Sequence, residues 1–110
     1  MRVEEFPSSP LEHLAWNRDE PPDVASVARR LRDEGVEPHA WSNGPHDRYG
    51  VHSHAYTKVL VCAAGSITFL VGPDATPVEL SPGEGFILPP GVPHAATVGP
   101  AGCTCLEGSR

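Results

Sequence analysis

An all-β sandwich or barrel, preceded by a single helix, is the fold class the sequence predicts. Two patterns predict it. Between residues 36 and 106 short apolar runs alternate with turn signals rich in Gly, Pro, Asn and Asp, as expected of many short strands. Residues 24–34 carry apolar side chains at helical spacing instead, which happens nowhere else so clearly. The 110 residues suit one domain with one core. The 13 prolines and 11 glycines favour frequent turns over long helices.

Residues 1–22 read as an irregular N-terminal arm, and residues 23–110 as the domain proper. Within the arm, Ser9-Pro10-Leu11-Glu12 has the form of a capping box with proline at the first helical position. It predicts a turn or two of helix with Leu11, Leu14 and Ala15 on one side, stopped by Pro21-Pro22. In the leading helix, 24–34, Asp23 serves as N-cap and Gly35 ends the element. Val24, Val27, Ala28 and Leu31 form one stripe that should pack against the outside of the sheet. Arg29, Arg30, Arg32, Asp33 and Glu34 fall mostly off it, on an expected solvated face.

Strands are expected at 36–42, 48–54, 58–63, 66–71, 77–80, 85–88, 94–98 and 102–106. Turns separate them at Ser42-Asn43-Gly44-Pro45, Ala64-Gly65, Gly72-Pro73-Asp74, Ser81-Pro82-Gly83, Pro89-Pro90-Gly91 and Gly99-Pro100-Ala101-Gly102. Closing such a sheet into a barrel also protects its edges.

The formal charge of −6 argues against a nucleic-acid partner or an anionic membrane, because phosphate binding needs a basic face. No apolar run approaches the ~18 residues that span a bilayer. The segment Met1-Arg2-Val3-Glu4-Glu5 lacks an apolar signal core, so a cytoplasmic protein is expected. Three cysteines, Cys62, Cys103 and Cys105, fit reduced thiols better than a disulfide framework. Cys103 and Cys105 share a strand face and can be metal ligands or small apolar fillers.

The chemistry lies with the histidines. His52 and His54, two apart in a strand, project from one face with Cα atoms ~6–7 Å apart. Imidazoles so spaced can reach a common ion, each nitrogen at ~2.0–2.1 Å. Farther along, Pro89-Pro90-Gly91-Val92-Pro93-His94 sets a third histidine behind a turn that proline stiffens and glycine permits. Three protein ligands with an open position are the common form of a reactive metal site. Surface histidines and an ordinary Pro-Gly loop are the plain alternatives.

These segments resemble the two motifs of the cupins. The first is a glycine six residues ahead of His-x-His, then an acidic residue four after the second histidine and a glycine seven further on; here it reads His46, His52-Ser53-His54, Lys58 and Gly65. The second is glycine, five residues, then Pro-x-Gly-x-x-His; here it reads Gly83 and Pro89-Pro90-Gly91-Val92-Pro93-His94. The resemblance covers about residues 50–98, and the expected strands extend it over most of 36–107. It implies a jelly-roll-like cupin β-barrel with a metal held by His52, His54 and His94, often as a homodimer. Three positions depart from the pattern: Lys58 replaces the usual glutamate, Val98 a frequent asparagine, and His46 a glycine.

A protonated Lys58 cannot ligate. At ~5 Å from another unit charge, with an effective dielectric near 20, repulsion is roughly 3 kcal/mol. Three placements are open. Lys58 can swing away to pair with an acid such as Glu84, turn inward with a depressed pKa, or form the positive wall of a pocket for an anionic ligand. A decayed site with a purely structural Lys58 is the fourth. Three neutral imidazoles suit Fe, Zn, Ni, Cu or Mn without choosing among them.

The reading that follows is a metal-dependent enzyme of oxygenase or isomerase type. It acts on a small carboxylate-bearing molecule, with Lys58 contacting the substrate anion. The alternatives are a non-catalytic module that senses a metal or small ligand, and an apo structural barrel. No DNA-binding segment accompanies the barrel, so a one-chain transcription factor is not expected. His39, His46 and His13 read as surface residues, His46 with a second reading at the pocket lip. Tyr49 and Tyr56 flank the histidine motif as packing residues or as orienters of substrate or imidazole. Trp41 fills the core or covers the barrel mouth.

Overall fold

A computed structural model describes residues 11–110. Its elements are β1 (Glu12–Leu14), α1 (Val24–Asp33), β2 (His39–Asn43), β3 (Arg48–His52), β4 (Lys58–Val71), β5 (Thr76–Leu80), β6 (Gly85–Leu88) and β7 (His94–Ser109). They form one antiparallel sheet in the order β1-β6-β4-β7-β2, with β5 paired to β4 and β3 paired to β7. The architecture is the all-β barrel expected, with its helix on the outside.

The barrel is built around β4 and β7, which pair along nearly their whole length, from Lys58↔Ser109 to Val71↔His94. Each was expected as two strands. The turn signals at Ala64-Gly65 and Gly99–Gly102 instead mark places where one long strand bends, and the β4–β7 register shifts at Cys62/Ala64 and at Gly65/Ile67. Gly65 has φ +71, and a Cβ built there would lie 1.9 Å from the Gly102 carbonyl oxygen. Only glycine lets the two backbones approach so closely at that bend.

Alternation along β4 separates two clusters. Leu60 and Cys62 face the barrel interior with Ile67, Phe69, Val71, Phe86, Leu88, Val98, Cys103 and Cys105. Val59, Val61 and Ala63 face the other way, with Val27 and Leu31 of α1 and Leu106 of β7. The three cysteines are free and buried in the interior, as the apolar-filler reading expects. Val98, in the position of the frequent asparagine, is part of the same interior.

The helix is capped as expected. The Asp23 side chain accepts from the Ser26 amide at 2.8 Å, and the Asp23 amide donates to Ser26 Oγ at 2.9 Å. Two details of its faces differ from expectation. Val24 is 48% exposed, whereas Arg30 is only 4% exposed. Arg30 turns under the N-terminal segment, donating to the Ala15 carbonyl at 2.8 Å and to Asn17 Oδ1 at 3.0 Å, and pairs with Glu34 at 3.0 Å.

The short helix expected from Ser9 onward is not formed over its described part. Residues 12–14 are a strand, with Glu12 opposite Ile87 and Leu14 opposite Gly85; Ser9 and Pro10 lie outside the described residues. In an extended chain residues three apart face opposite sides. Leu11 thereby enters the barrel interior and Leu14 the cluster beneath the helix, which one helical face could not achieve. Among the described residues no helix is long and apolar enough to cross a membrane.

Candidate metal centre

His52 closes β3 and His94 opens β7, and the two stand opposite each other as Cα partners. His54 was expected in the same strand as His52. It lies two residues beyond the end of β3, after a register irregularity between Tyr49 and His52. Its backbone is fixed from the other motif: the Gly91 amide donates to the His54 carbonyl at 2.8 Å. Gly91 has φ +80, so the Pro-Gly turn uses the left-handed conformation expected of it. The ring centroids lie 4.2 Å apart for His52 and His94, 5.0 Å for His52 and His54, and 5.1 Å for His54 and His94. One ring nitrogen from each comes within 4.8 Å of the other two.

The hydrogen bonds select a tautomer. His52 Nδ1 is 2.9 Å from the Gly50 carbonyl, and His94 Nδ1 is 3.0 Å from the Val92 carbonyl. A carbonyl only accepts, so in each neutral ring Nδ1 carries the proton and Nε2 keeps its lone pair. The Nε2 atoms of His54 and His94 are buried without a hydrogen-bond partner among the described residues. Leaving such an atom unmatched costs about 1–3 kcal/mol, and two of them within one cluster call for a shared partner. Burial, then the nearby Lys58 charge and the neighbouring His52, holds His54 below the ordinary imidazole value. Burial also lowers His94, against the Val92 hydrogen bond that favours its charged form. Neutral rings with free lone pairs are what a transition metal requires of histidine. The donor set fits such an ion.

Lys58 lies beside this cluster. It shares the inward face of β4 with Leu60, and its side chain is only 8% exposed. Its Nζ is 3.2 Å from Glu107 Oε1 on β7, so its partner is Glu107 and not Glu84. Glu84 instead accepts from the Ser81 amide in an exposed turn. Trp41 Nε1 donates to the same Glu107 oxygen at 2.7 Å. Trp41, Tyr49 and Glu107 line a recess of about 210 Å³. The Trp41 and Tyr49 rings meet edge to face at 5.8 Å, and the Tyr49 hydroxyl donates to Asn43 Oδ1. Tyr56 stacks on the His54 ring at 4.8 Å. His13, His39 and His46 are exposed.

Glu107 was not anticipated. The expected strand stopped at residue 106, yet its own alternation points to the missing acid. With Cys103 and Cys105 turned inward, residue 107 turns inward as well.

The family of AraC-like ligand binding domains matches residues 35–105. The chain belongs to this family. Solved structures similar to this AraC-like domain include one from the crystal structures of the DMSP lyases RdDddP and RnDddQII, 25% identical, with a TM-score of 0.62 over 68% of this chain and 38% of that one. An RmlC-like cupin from Shewanella frigidimarina is 23% identical, with a TM-score of 0.59 over 67% and 64%. The ribosomal oxygenase YcfD from Escherichia coli, in complex with cobalt and 2-oxoglutarate, is 22% identical, with a TM-score of 0.64 over 78% and 27%. The fold is that of a cupin. The domain spans less than two-thirds of the length of each of these three chains. No curated protein matches the sequence at a significant level.

Proposed function

We propose that this domain binds a divalent transition metal through His52, His54 and His94, and that a small carboxylate-bearing ligand meets it there. The observation that carries this reading is the pair of buried Nε2 atoms on His54 and His94, unpartnered among the described residues, inside a three-imidazole cluster. Fe, Zn, Ni, Cu and Mn all suit the donors. A bound ion would supply a Lewis acid or an oxygen-activating centre.

The chain's own residues have separable tasks. The Gly50 and Val92 carbonyls hold two rings in the ligating tautomer. Lys58 has three N–H donors, of which Glu107 needs one, so it can give another to a ligand carboxylate. Trp41 and Tyr49 wall the recess on the Glu107 side. Oxygenase or isomerase chemistry fits these parts, and the cobalt- and 2-oxoglutarate-bound oxygenase supports a metal in this kind of barrel. A second reading, a ligand-sensing module without turnover, is favoured by the family's description as a ligand-binding domain. A homodimer accompanies either reading, on the strength of the resemblance, and a cytoplasmic location, on the strength of an N-terminal segment without an apolar signal core; light scattering on the purified protein tests the dimer.

Elemental analysis tests the centre. Near-stoichiometric metal is expected in the wild type and none in the triple His52, His54, His94→Ala variant. Equal metal in both, or none in either after incubation with excess Zn(II), Fe(II) and Ni(II), refutes the site and leaves a structural barrel. Oxygen uptake with Fe(II) and small carboxylates then identifies an oxygenase; binding without oxygen uptake leaves an isomerase, which returns the carboxylate rearranged, or a sensor, which returns it unchanged.

A further inference from the structure

The three imidazoles are not held alike. His52 and His94 each place Nδ1 against the carbonyl two residues earlier, at 2.9 and 3.0 Å. That contact fixes both ring angle and tautomer. His54 makes no such hydrogen bond among the described residues, and it stands outside the strand that positions His52. Its carbonyl is tied to Gly91, which fixes the backbone but leaves χ1 and χ2 of the ring free. Tyr56 supplies the missing restraint: its ring lies 4.8 Å from that of His54, with 24° between the planes.

We infer that Tyr56 is the positioning residue for His54, holding through ring stacking the one imidazole of the cluster that no carbonyl anchors among the described residues. The inference rests on the metal reading above. The stack has a direction as well as a shape. A metal-bound imidazole carries positive charge, and the electron-rich face of a phenol ring favours a cation beside it. Tyr56 therefore supports the ligating state of His54 more than the free one. The aromatic face does this and the hydroxyl does not, so phenylalanine should replace tyrosine and alanine should not. Tyr56 is 39% exposed, so its removal opens no core cavity.

The test compares wild type, Tyr56→Phe and Tyr56→Ala by Co(II) titration, reading affinity and the visible ligand-field spectrum. Loss of an outer contact to a metal ligand commonly costs 10–100-fold in affinity. Tyr56→Ala is expected to weaken Co(II) by about 10-fold and to change the band shape, while Tyr56→Phe keeps both within about threefold of wild type. The metal-free protein supplies a separate readout: the Tyr56 ring current should shift the His54 ring protons in NMR spectra, and Tyr56→Ala should abolish that shift. Unaltered Co(II) affinity and spectrum in Tyr56→Ala overturn the inference while leaving the metal centre standing. A wild type that takes up no Co(II) overturns the centre itself, and this role with it. Equal loss in Tyr56→Phe and Tyr56→Ala would assign the effect to the hydroxyl and likewise overturn the stacking role.

Discussion

His94 is the most constrained of the three clustered imidazoles, 1% exposed, with one nitrogen bound to a carbonyl and the other unpartnered among the described residues. Its folded pKa lies below the ordinary value of about 6.5, as does that of His54, chiefly through burial. The unfolded chain keeps the ordinary value. Between the two, the unfolded state binds more protons, so acidification favours unfolding. Metal-free protein should be fully stabilised in this respect above about pH 6.5 and lose stability as pH falls below it. Urea unfolding at pH 7.5 and 5.5 measures the loss, and His94→Gln should shrink it. The three histidines were legible in the sequence because their spacing within short motifs is local information. The partner of Lys58 was not. Glu107 meets it through the β4–β7 register, which no spacing along the chain encodes.

Strand continuity sets the next scale. Ala64-Gly65 reads as a turn because turns and bulges draw on the same residues, and only the long-range ladder tells them apart. At Gly65 any side chain meets both a left-handed φ and the Gly102 carbonyl. Gly65→Ala should therefore destabilise the barrel by about 3 kcal/mol or more, measured by urea denaturation. An exposed glycine such as Gly50, with nothing within 4 Å of its Cβ position, should tolerate alanine far better. β1 teaches the converse lesson. A local capping signal was overruled because pairing with β6 lets Leu11 and Leu14 reach two different apolar clusters. The helix needed less correction: its cap and most of its stripe (Val27, Ala28 and Leu31) agree with its tertiary contacts, while Val24 stays exposed and Arg30 is buried.

Across the whole molecule, the Lys58–Glu107 pair joins β4 to β7 inside the barrel, and Trp41 adds β2. Removing one member strands a buried charge. Glu107→Gln should cost about 3–5 kcal/mol in urea unfolding, and the double change Lys58→Met, Glu107→Leu should recover most of it. β3 is held quite differently. All five of its residues are exposed, and among the described residues its ladder is with β7 alone. An edge strand so lightly fastened can lift off without melting the barrel. It would carry His52 away from His94, so the proposed ion, seated across them, would act as a rivet. Amide exchange at residues 48–52 should slow sharply on adding Zn(II), while β4 is hardly affected, and the same detachment would offer such an ion its way in and out.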